Sequence, residues 1–472
     1  MSLSHSIADS AGGLISPAPK SSTDFSGRRA SAAAHWHGFT QMAEPAGPVI
    51  ASARGCVLTT VDGRDLIDGV SSLWCNLHGH RHPAIDAAVI EQLGRVAHVT
   101  TLGMAADVTE ELAARLAQIT PGNLSHTFFS SDGSSAVEAA VKMAFQYWRQ
   151  TQPASNRHRF LALGRAYHGD TTGSVSLGGI DHFHKLFGPI LFDPIRGPVP
   201  CSYRHSAEAN DLTNHYAAIY EDLIRRHADE LVAVVMEPLV QGAAGMITHP
   251  PGLLRRIREA CDRHDVLLIV DEVATGFGRT GRLFACEHES VTPDILCMGK
   301  GITGGYLPMA ATIATPKVFD AFLGSAPENR QFFHGHTYGG NPLAAAAAIA
   351  SIDLLTAPGM IDQINTTADR LRSAIEPVRN HRHVGDIRGR GMMIGIELVA
   401  DQTTRQPFDP TLQVGRRVCD RLLDHGVWLR PLGDVVIVMP PLAISDAQIA
   451  QIGTALRHAI QIEVPRCCDA ST

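Results

Sequence analysis

The sequence predicts an α/β protein, with a mainly parallel central sheet in a large domain and a smaller α+β domain assembled from the N- and C-terminal segments. Three observations carry this expectation. Between residues 126 and 315, short apolar runs without polar alternation alternate with helix-period segments, the pattern of a sheet buried on both faces by crossover helices. The 472 residues exceed the usual size of one domain. Beyond residue 346 the chain has strand and helix signals of its own, in VGDIRGRGMMIGIELV, VGRRVCDRLLDHGV and VVIVMPPL.

The opening stretch, MSLSHSIADSAGGLISPAPKSSTDFSGRR, is rich in Ser, Gly, Ala and Pro and reads as a disordered leader over residues 1–30. It lacks the basic start and apolar core of a secretory signal. Residues 31–82 read as the N-terminal segment of the smaller domain, with β-branched runs flanking Asp62-Gly63 as in a β-hairpin. Residues 83–345 make the large domain. There AIDAAVIEQLGRVAHV and VTEELAARLAQIT carry apolar residues at helical spacing, so helices precede the first core strand. HTFFSS, RFLALG, LVAVVMEPL, VLLIVDEV, DILCMGKG and MAATIAT read as strands, and SAVEAAVKMAFQYWRQ and GLLRRIREACDRH as helices between them, so the strands are expected to pair in parallel. NPLAAAAAIASIDLL reads as a helix bridging outward into residues 346–472, the C-terminal part of the small domain.

A net charge of -7 with scattered Lys and Arg offers no basic face for nucleic acid or an anionic membrane. No apolar run reaches the roughly 18 to 20 residues that a membrane span needs. The nine cysteines form no CxxC pair and several lie in apolar runs, as reduced, buried thiols of a cytoplasmic protein do. Cys467 and Cys468 fall in a polar tail and read as an incidental mobile terminus. Histidines recur in spaced groups (35/37, 78/80/82, 334/336, 381/383) without an attached Cys or carboxylate pattern, so no metal is expected.

Three elements carry chemistry. Asp271 closes the apolar run VLLIVD, which puts its carboxylate at the carboxyl edge of a parallel sheet, where ligands bind in open α/β folds. Alone it reads equally as a helix cap or a structural ion pair. Lys300 ends another buried run between Gly299 and Gly301, and the two strand ends can face one crevice. A desolvated lysine there forms an imine with an aldehyde cofactor, and a carboxylate against a pyridine nitrogen keeps that nitrogen protonated, so the ring accepts electrons from a breaking C–H bond. In SSDGSSAVEAAVKMA, Gly133, Ser134 and Ser135 open an amphipathic helix directly after a strand, a natural phosphate site, although the same string is an ordinary capping sequence.

At these residues the chain resembles the class III aminotransferases, from about His35 to Leu442. VDEVATGFGRTG and GKGITGG carry the likeness to the class, whereas SSLW, AYHGDT, FACEHE and RPLGD resemble its biotin-pathway members more particularly. The resemblance implies fold type I of the pyridoxal 5'-phosphate (PLP) enzymes and a reaction in which 8-amino-7-oxononanoate becomes 7,8-diaminononanoate. It implies that Lys300 is the Schiff-base lysine and proton shuttle, that Asp271 pairs with the pyridinium nitrogen, and that Gly133 and Ser134 bind phosphate. Tyr167 would stack on the cofactor ring and line the substrate pocket. In FFHGHTYGGNP, Thr337 beside His336 would reach the phosphate of the neighbouring subunit of a homodimer, with Gly335 near substrate. Trp74 would wall the substrate channel, Arg279 would contribute near its mouth, and Arg430 would clamp the carboxylate of the keto acid.

Leu73 stands where many members have tryptophan, and His336 where they have proline. Leu73 removes a flat surface for the amino donor, so lysine stands beside the family default, S-adenosylmethionine. Other readings are a class III ω-aminotransferase or aminomutase acting on ornithine, another diamine or a β-amino acid, and a non-catalytic PLP-binding regulator. The regulator reading lacks the DNA-binding module it would need.

Overall fold

A computed structural model describes residues 34–44, 47–205 and 211–469, and the leader expected over residues 1–30 lies outside the described residues. The chain divides into two units, one of Met1–Ser52 with Thr59–Arg64, the other of Ala53–Leu58 with Asp65–Thr472. In the first unit the turn expected at Asp62-Gly63 forms. Thr60 and Arg64 bond across it, the Gly63 N–H donates to the Thr60 carbonyl at 3.0 Å, and Gly63 takes φ +84°, a conformation that glycine adopts without steric cost.

The second unit is built on a seven-stranded sheet. Its order is His126–Ser130, Ala310–Ala314, Ile295–Met298, Leu267–Asp271, Leu231–Met236, Arg159–Ala162 and Ile195–Arg196. The four pairings from Ile295–Met298 to Ile195–Arg196 are parallel. Ala310–Ala314 is the one reversed strand, antiparallel to both neighbours. The reason is local: from Met298 the chain returns through a tight 3-10 turn at Lys300–Thr303, with no crossover helix to carry it back to the starting edge.

The strand residues divide between two cores by the period of two. Val234, Leu268 and Leu296 face one side with Tyr220, Ile224, Leu254, Ile257 and Cys261 of the helices Leu212–His227 and Leu253–Arg263. Val235, Ile269 and Ile295 face the other, with Ala136, Val137, Ala140, Ala144 and Trp148 of the helix Gly133–Thr151. Burial on both sides explains why these strands lack polar alternation. Trp148 also donates its Nε1–H to the Val232 carbonyl at 2.8 Å, so its polar edge is satisfied inside the core.

A second, antiparallel sheet runs Val384–Arg390, Met393–Leu398, Val435–Val438 and Arg430–Leu432. Val427–Trp428 pairs in parallel with Asp65–Asp68, so the N- and C-terminal segments share a sheet as expected. Two expectations need correction. The helix Pro342–Leu355 does not bridge outward: the run from Ala344 to Ala348 is buried and the helix packs against the helices Pro83–Leu93 and Asp107–Ile119. Nor is Cys467 in a mobile tail, because the last helix runs Asp446–Asp469 and holds Cys467 at 1% exposure, in line with Leu456, Ile460 and Val464. Among the described residues no single helix is long and apolar enough to cross a membrane.

Candidate active site

The register of the central strands sets the site. Val270 pairs with Met236 and Asp271 with Cys297, so Glu237, Asp271 and, three residues past Cys297, Lys300 all emerge at the carboxyl edge of three adjacent parallel strands. Asp271 is buried. Its Oδ2 lies 2.7 Å from His168 Nδ1, and its Oδ1 accepts the Val273 N–H at 3.0 Å. Lys300 sits at φ +42°, a strained value for a residue with a Cβ. Gly301 beside it has no room for a side chain to spare, since a Cβ there would lie 3.1 Å from that of Phe277. The Lys300 ammonium is 5.0 Å from the centroid of the Trp74 ring. Burial pushes its pKa below the ordinary lysine value, and the charges of Asp271 and Glu237 resist that shift. An amine so placed is a better nucleophile and proton carrier at neutral pH than a solvated lysine.

The strand His126–Ser130 leads into the helix Gly133–Thr151, whose N-cap Asp132 accepts the Ser135 N–H at 3.0 Å. The first intrahelical bond runs from the Ala136 N–H, so the N–H groups of Gly133 and Ser134 precede the ladder and remain for a ligand. Gly133 lies against Val273, where a Cβ would come within 2.6 Å, and Gly169 lies against Ser134 Oγ, where it would come within 2.0 Å. These small residues leave a cradle at the helix N-terminus, beside Lys300 and Asp271, of the kind a phosphate and a planar ring require.

Tyr167 borders the cradle. Its hydroxyl donates to the Asp170 carboxylate at 2.7 Å, and the Asp170 backbone N–H donates to Ser134 Oγ at 3.1 Å, so the aromatic residue and the phosphate loop are joined through one residue. Burial, with Asp170 adding to it, pushes the Tyr167 pKa upward and keeps the phenol protonated. Trp74 follows Ser71, Ser72 and Leu73 in a turn where all four residues have positive φ, from 49° to 76°. Such a left-handed turn without glycine costs about 1–2 kcal/mol per residue. Asp68 offsets part of that, accepting the Ser72 N–H and hydroxyl, both at 2.7 Å, while Ser71 donates to the Met439 carbonyl at 2.7 Å. The turn presents Trp74 to Lys300 and leaves Leu73 exposed.

The other expected residues are distributed more widely. Arg279 is not at a mouth: it is 1% exposed, and its guanidinium donates to the Pro440 carbonyl at 2.7 Å and the Asn76 carbonyl at 2.8 Å, with burial lowering its pKa to about 10. Its sequence neighbourhood gives no sign of this enclosure, which two segments far away in the chain create. Arg430 is half-buried on an edge strand, paired with Ile437, which in turn pairs with Gly395 opposite Arg388. Gly335, His336 and Thr337 lie on a loop whose bonds are internal, as from the Gly339 N–H to the His336 carbonyl, or made to Thr101 and Lys142. None of these bonds reaches Lys300, Asp271 or Tyr167. Leu102 lies against Gly335, and Leu102, Phe333 and Tyr338 are exposed.

Sequence reasoning missed His168, Asp170 and Glu237. The first two stand beside Tyr167 in AYHGD, but nothing in a single sequence marks them as partners of Asp271 and Tyr167. Glu237 closes the run LVAVVM as Asp271 closes VLLIV, and that parallel was the available signal. It is buried, accepts the Tyr167 N–H at 3.3 Å and the Gly242 N–H at 2.8 Å, and burial with Asp271 nearby raises its pKa to about 7. Among the described residues no group of three His, Cys, Asp or Glu side chains is placed to hold a metal ion.

Residues 41–460 match the sequence profile of the family described as "Aminotransferase class-III". The chain is 51% identical over 435 residues to the adenosylmethionine-8-amino-7-oxononanoate aminotransferase of Nitratidesulfovibrio vulgaris, an alignment covering 91% of this chain and 80% of that one. It is 45% identical to the enzyme of the same name from Geobacter sulfurreducens, over 90% of this chain and 95% of that one. Among solved structures it is similar to the adenosylmethionine-8-amino-7-oxononanoate aminotransferase of Methanocaldococcus jannaschii, at TM-score 0.86 and 39% identity, covering 91% and 97% of the two chains. A PLP-bound amine transaminase from an uncultivated Pseudomonas species superposes equally well, at TM-score 0.86 and 36% identity over 91% and 99%.

Proposed function

Because this chain belongs to the class III aminotransferases, PLP-dependent enzymes of fold type I, we propose that it aminates 8-amino-7-oxononanoate to 7,8-diaminononanoate, a step of biotin biosynthesis. The observation that carries the substrate is the 51% identity to a relative named for that reaction, along 91% of the chain. S-adenosylmethionine is the donor named in these relatives, and lysine is the alternative that Leu73 leaves open.

When bound, the cofactor supplies an electron sink and carries the amino group from donor to acceptor. The residues around the cradle fit it. Gly133 and Ser134 receive the phosphate on their N–H groups and the Ser134 hydroxyl. Asp271, oriented by His168, holds the ring nitrogen protonated. Tyr167 would lie over the ring and exclude water. The Lys300 amine holds the cofactor and then takes and returns the proton at the substrate carbon, which its lowered pKa favours. Trp74 and Leu73 line the substrate channel, Arg279 braces its wall through Asn76, and Arg430 accepts the carboxylate of the keto acid in a two-pronged contact.

The protein is a cytoplasmic homodimer in this reading. Leu102, Phe333 and Tyr338, exposed beside Gly335, His336 and Thr337, support it, since a cluster of large apolar side chains on a surface marks a contact site. A second copy seated there brings Thr337 and His336 to the phosphate in the other subunit. The test is stopped-flow spectroscopy of each half-reaction. Adding the true donor alone bleaches the visible band of the bound cofactor, and 8-amino-7-oxononanoate restores it. If neither S-adenosylmethionine nor lysine bleaches the band while a simple amine does, the chain acts instead as an amine transaminase, as its solved neighbour is named.

A further inference from the structure

Glu237 is a second buried carboxylate beside Asp271, and the transamination chemistry gives it no task. It emerges one residue past Met236, opposite Asp271, on the adjacent strand. One of its oxygens accepts the Tyr167 N–H at 3.3 Å and the other the Gly242 N–H at 2.8 Å. Gly242 in turn lies flat against Trp74, where a Cβ would come within 3.1 Å of the indole ring. One carboxylate therefore bridges the backbone behind both aromatic walls, Tyr167 on one side and Trp74 on the other. Lys300 lies 5.0 Å from the centroid of the Trp74 ring, and the charge of Glu237 acts on it together with that of Asp271.

We propose that Glu237 is a positioning residue of this site, bracing Tyr167 and Gly242 from beneath and supplying a second negative charge that holds the proton on the Lys300 nitrogen. The inference rests on the transaminase reading. Burying a carboxylate is costly, and two backbone donors alone would be served as well by a neutral acceptor such as glutamine or water. What glutamate adds is charge, directed at the one cationic side chain of the cradle. Burial raises the Glu237 pKa to about 7, so that charge is present above neutral pH and fades below it.

The experiment is a pH titration of the visible absorption band of the holoenzyme, comparing wild type with Glu237→Gln, Glu237→Met and Glu237→Asp. The two uncharged variants lower the midpoint by about one pH unit, through the loss of a buried charge that acts on the lysine nitrogen. Their spectra converge on wild type below about pH 7, and Glu237→Asp restores most of the shift. Methionine avoids leaving a buried amide to satisfy, which keeps the test open should the glutamine variant fold poorly. Midpoints of both uncharged variants within about 0.2 unit of wild type overturn the proposal, as does an aspartate variant that behaves like glutamine. A lowered melting temperature with an unmoved midpoint identifies scaffolding only and also overturns it. A wild-type protein with no visible band after loading with PLP instead overturns the transaminase reading.

Discussion

Replacing Asp271 by asparagine isolates the charge at the ring nitrogen from the shape of the site. Asparagine keeps an acceptor for the Val273 N–H at 3.0 Å and a partner for His168 at 2.7 Å, so the buried contacts survive. What disappears is one negative charge at a buried position, the charge proposed to face the cofactor nitrogen. Two opposite charges about 4 Å apart interact by about 4 kcal/mol at the partly screened dielectric of a protein site. Lost from the transition state, that amounts to about a thousandfold in turnover. The assay is the half-reaction with a saturating amino donor, followed by the visible band, with melting temperature as the control for folding. The variant is expected to retain bound cofactor and melt within a few degrees of wild type while losing two to three orders of magnitude in rate. Turnover within about tenfold of wild type would refute the argument that Asp271 holds the nitrogen protonated.

Lys300→Ala abolishes the visible band of the covalently held cofactor, and an undiminished band in that variant excludes Lys300 as the attachment point. Arg430→Lys, which loses the planar fork, raises KM for 8-amino-7-oxononanoate by about 10- to 100-fold and leaves the donor half-reaction unchanged, and an equal loss in both halves rules out a specific carboxylate clamp. His249 is buried, neither ring nitrogen has a partner, and burial lowers its pKa from 6.5 to about 3. The unfolded chain therefore takes up a proton between those values that the folded chain refuses. The stability it confers is intact above about pH 6.5 and is lost as the pH falls toward 3, by up to about 5 kcal/mol. His249→Leu flattens the acid limb of the stability curve measured by denaturant titration, and an unchanged acid limb contradicts the reasoning.

The fold was legible wherever burial is two-sided, because a strand such as Leu231–Met236, with every residue buried, has no polar positions to confuse its reading. The direction of Ala310–Ala314 was not, since the decision between crossover and return lies in a short turn around Lys300 that composition does not encode. The edge positions of Asp271 and Lys300 follow from each residue closing an apolar run, and the small residues after Asp132 mark the cradle. The left-handed turn at Ser71–Trp74 left no trace, because no glycine announces it and Asp68 and Met439 hold it from other parts of the chain. The resemblance puts Arg279 near the mouth of the substrate channel, yet its guanidinium is buried against the carbonyls of Asn76 and Pro440. His168 and Glu237 likewise find partners, Asp271 and Tyr167, in distant parts of the chain, although Glu237 closes an apolar run as Asp271 does.

The central claim is amino transfer to 8-amino-7-oxononanoate, and detection of its product tests that most directly. Purified protein loaded with PLP is incubated with 8-amino-7-oxononanoate and either S-adenosylmethionine or lysine, and the mixture is analysed by mass spectrometry. The account predicts 7,8-diaminononanoate accumulating over many turnovers with at least one donor, and none with Lys300→Ala. Absence of that product with both donors, from a holoenzyme that still transaminates another amine, would contradict it.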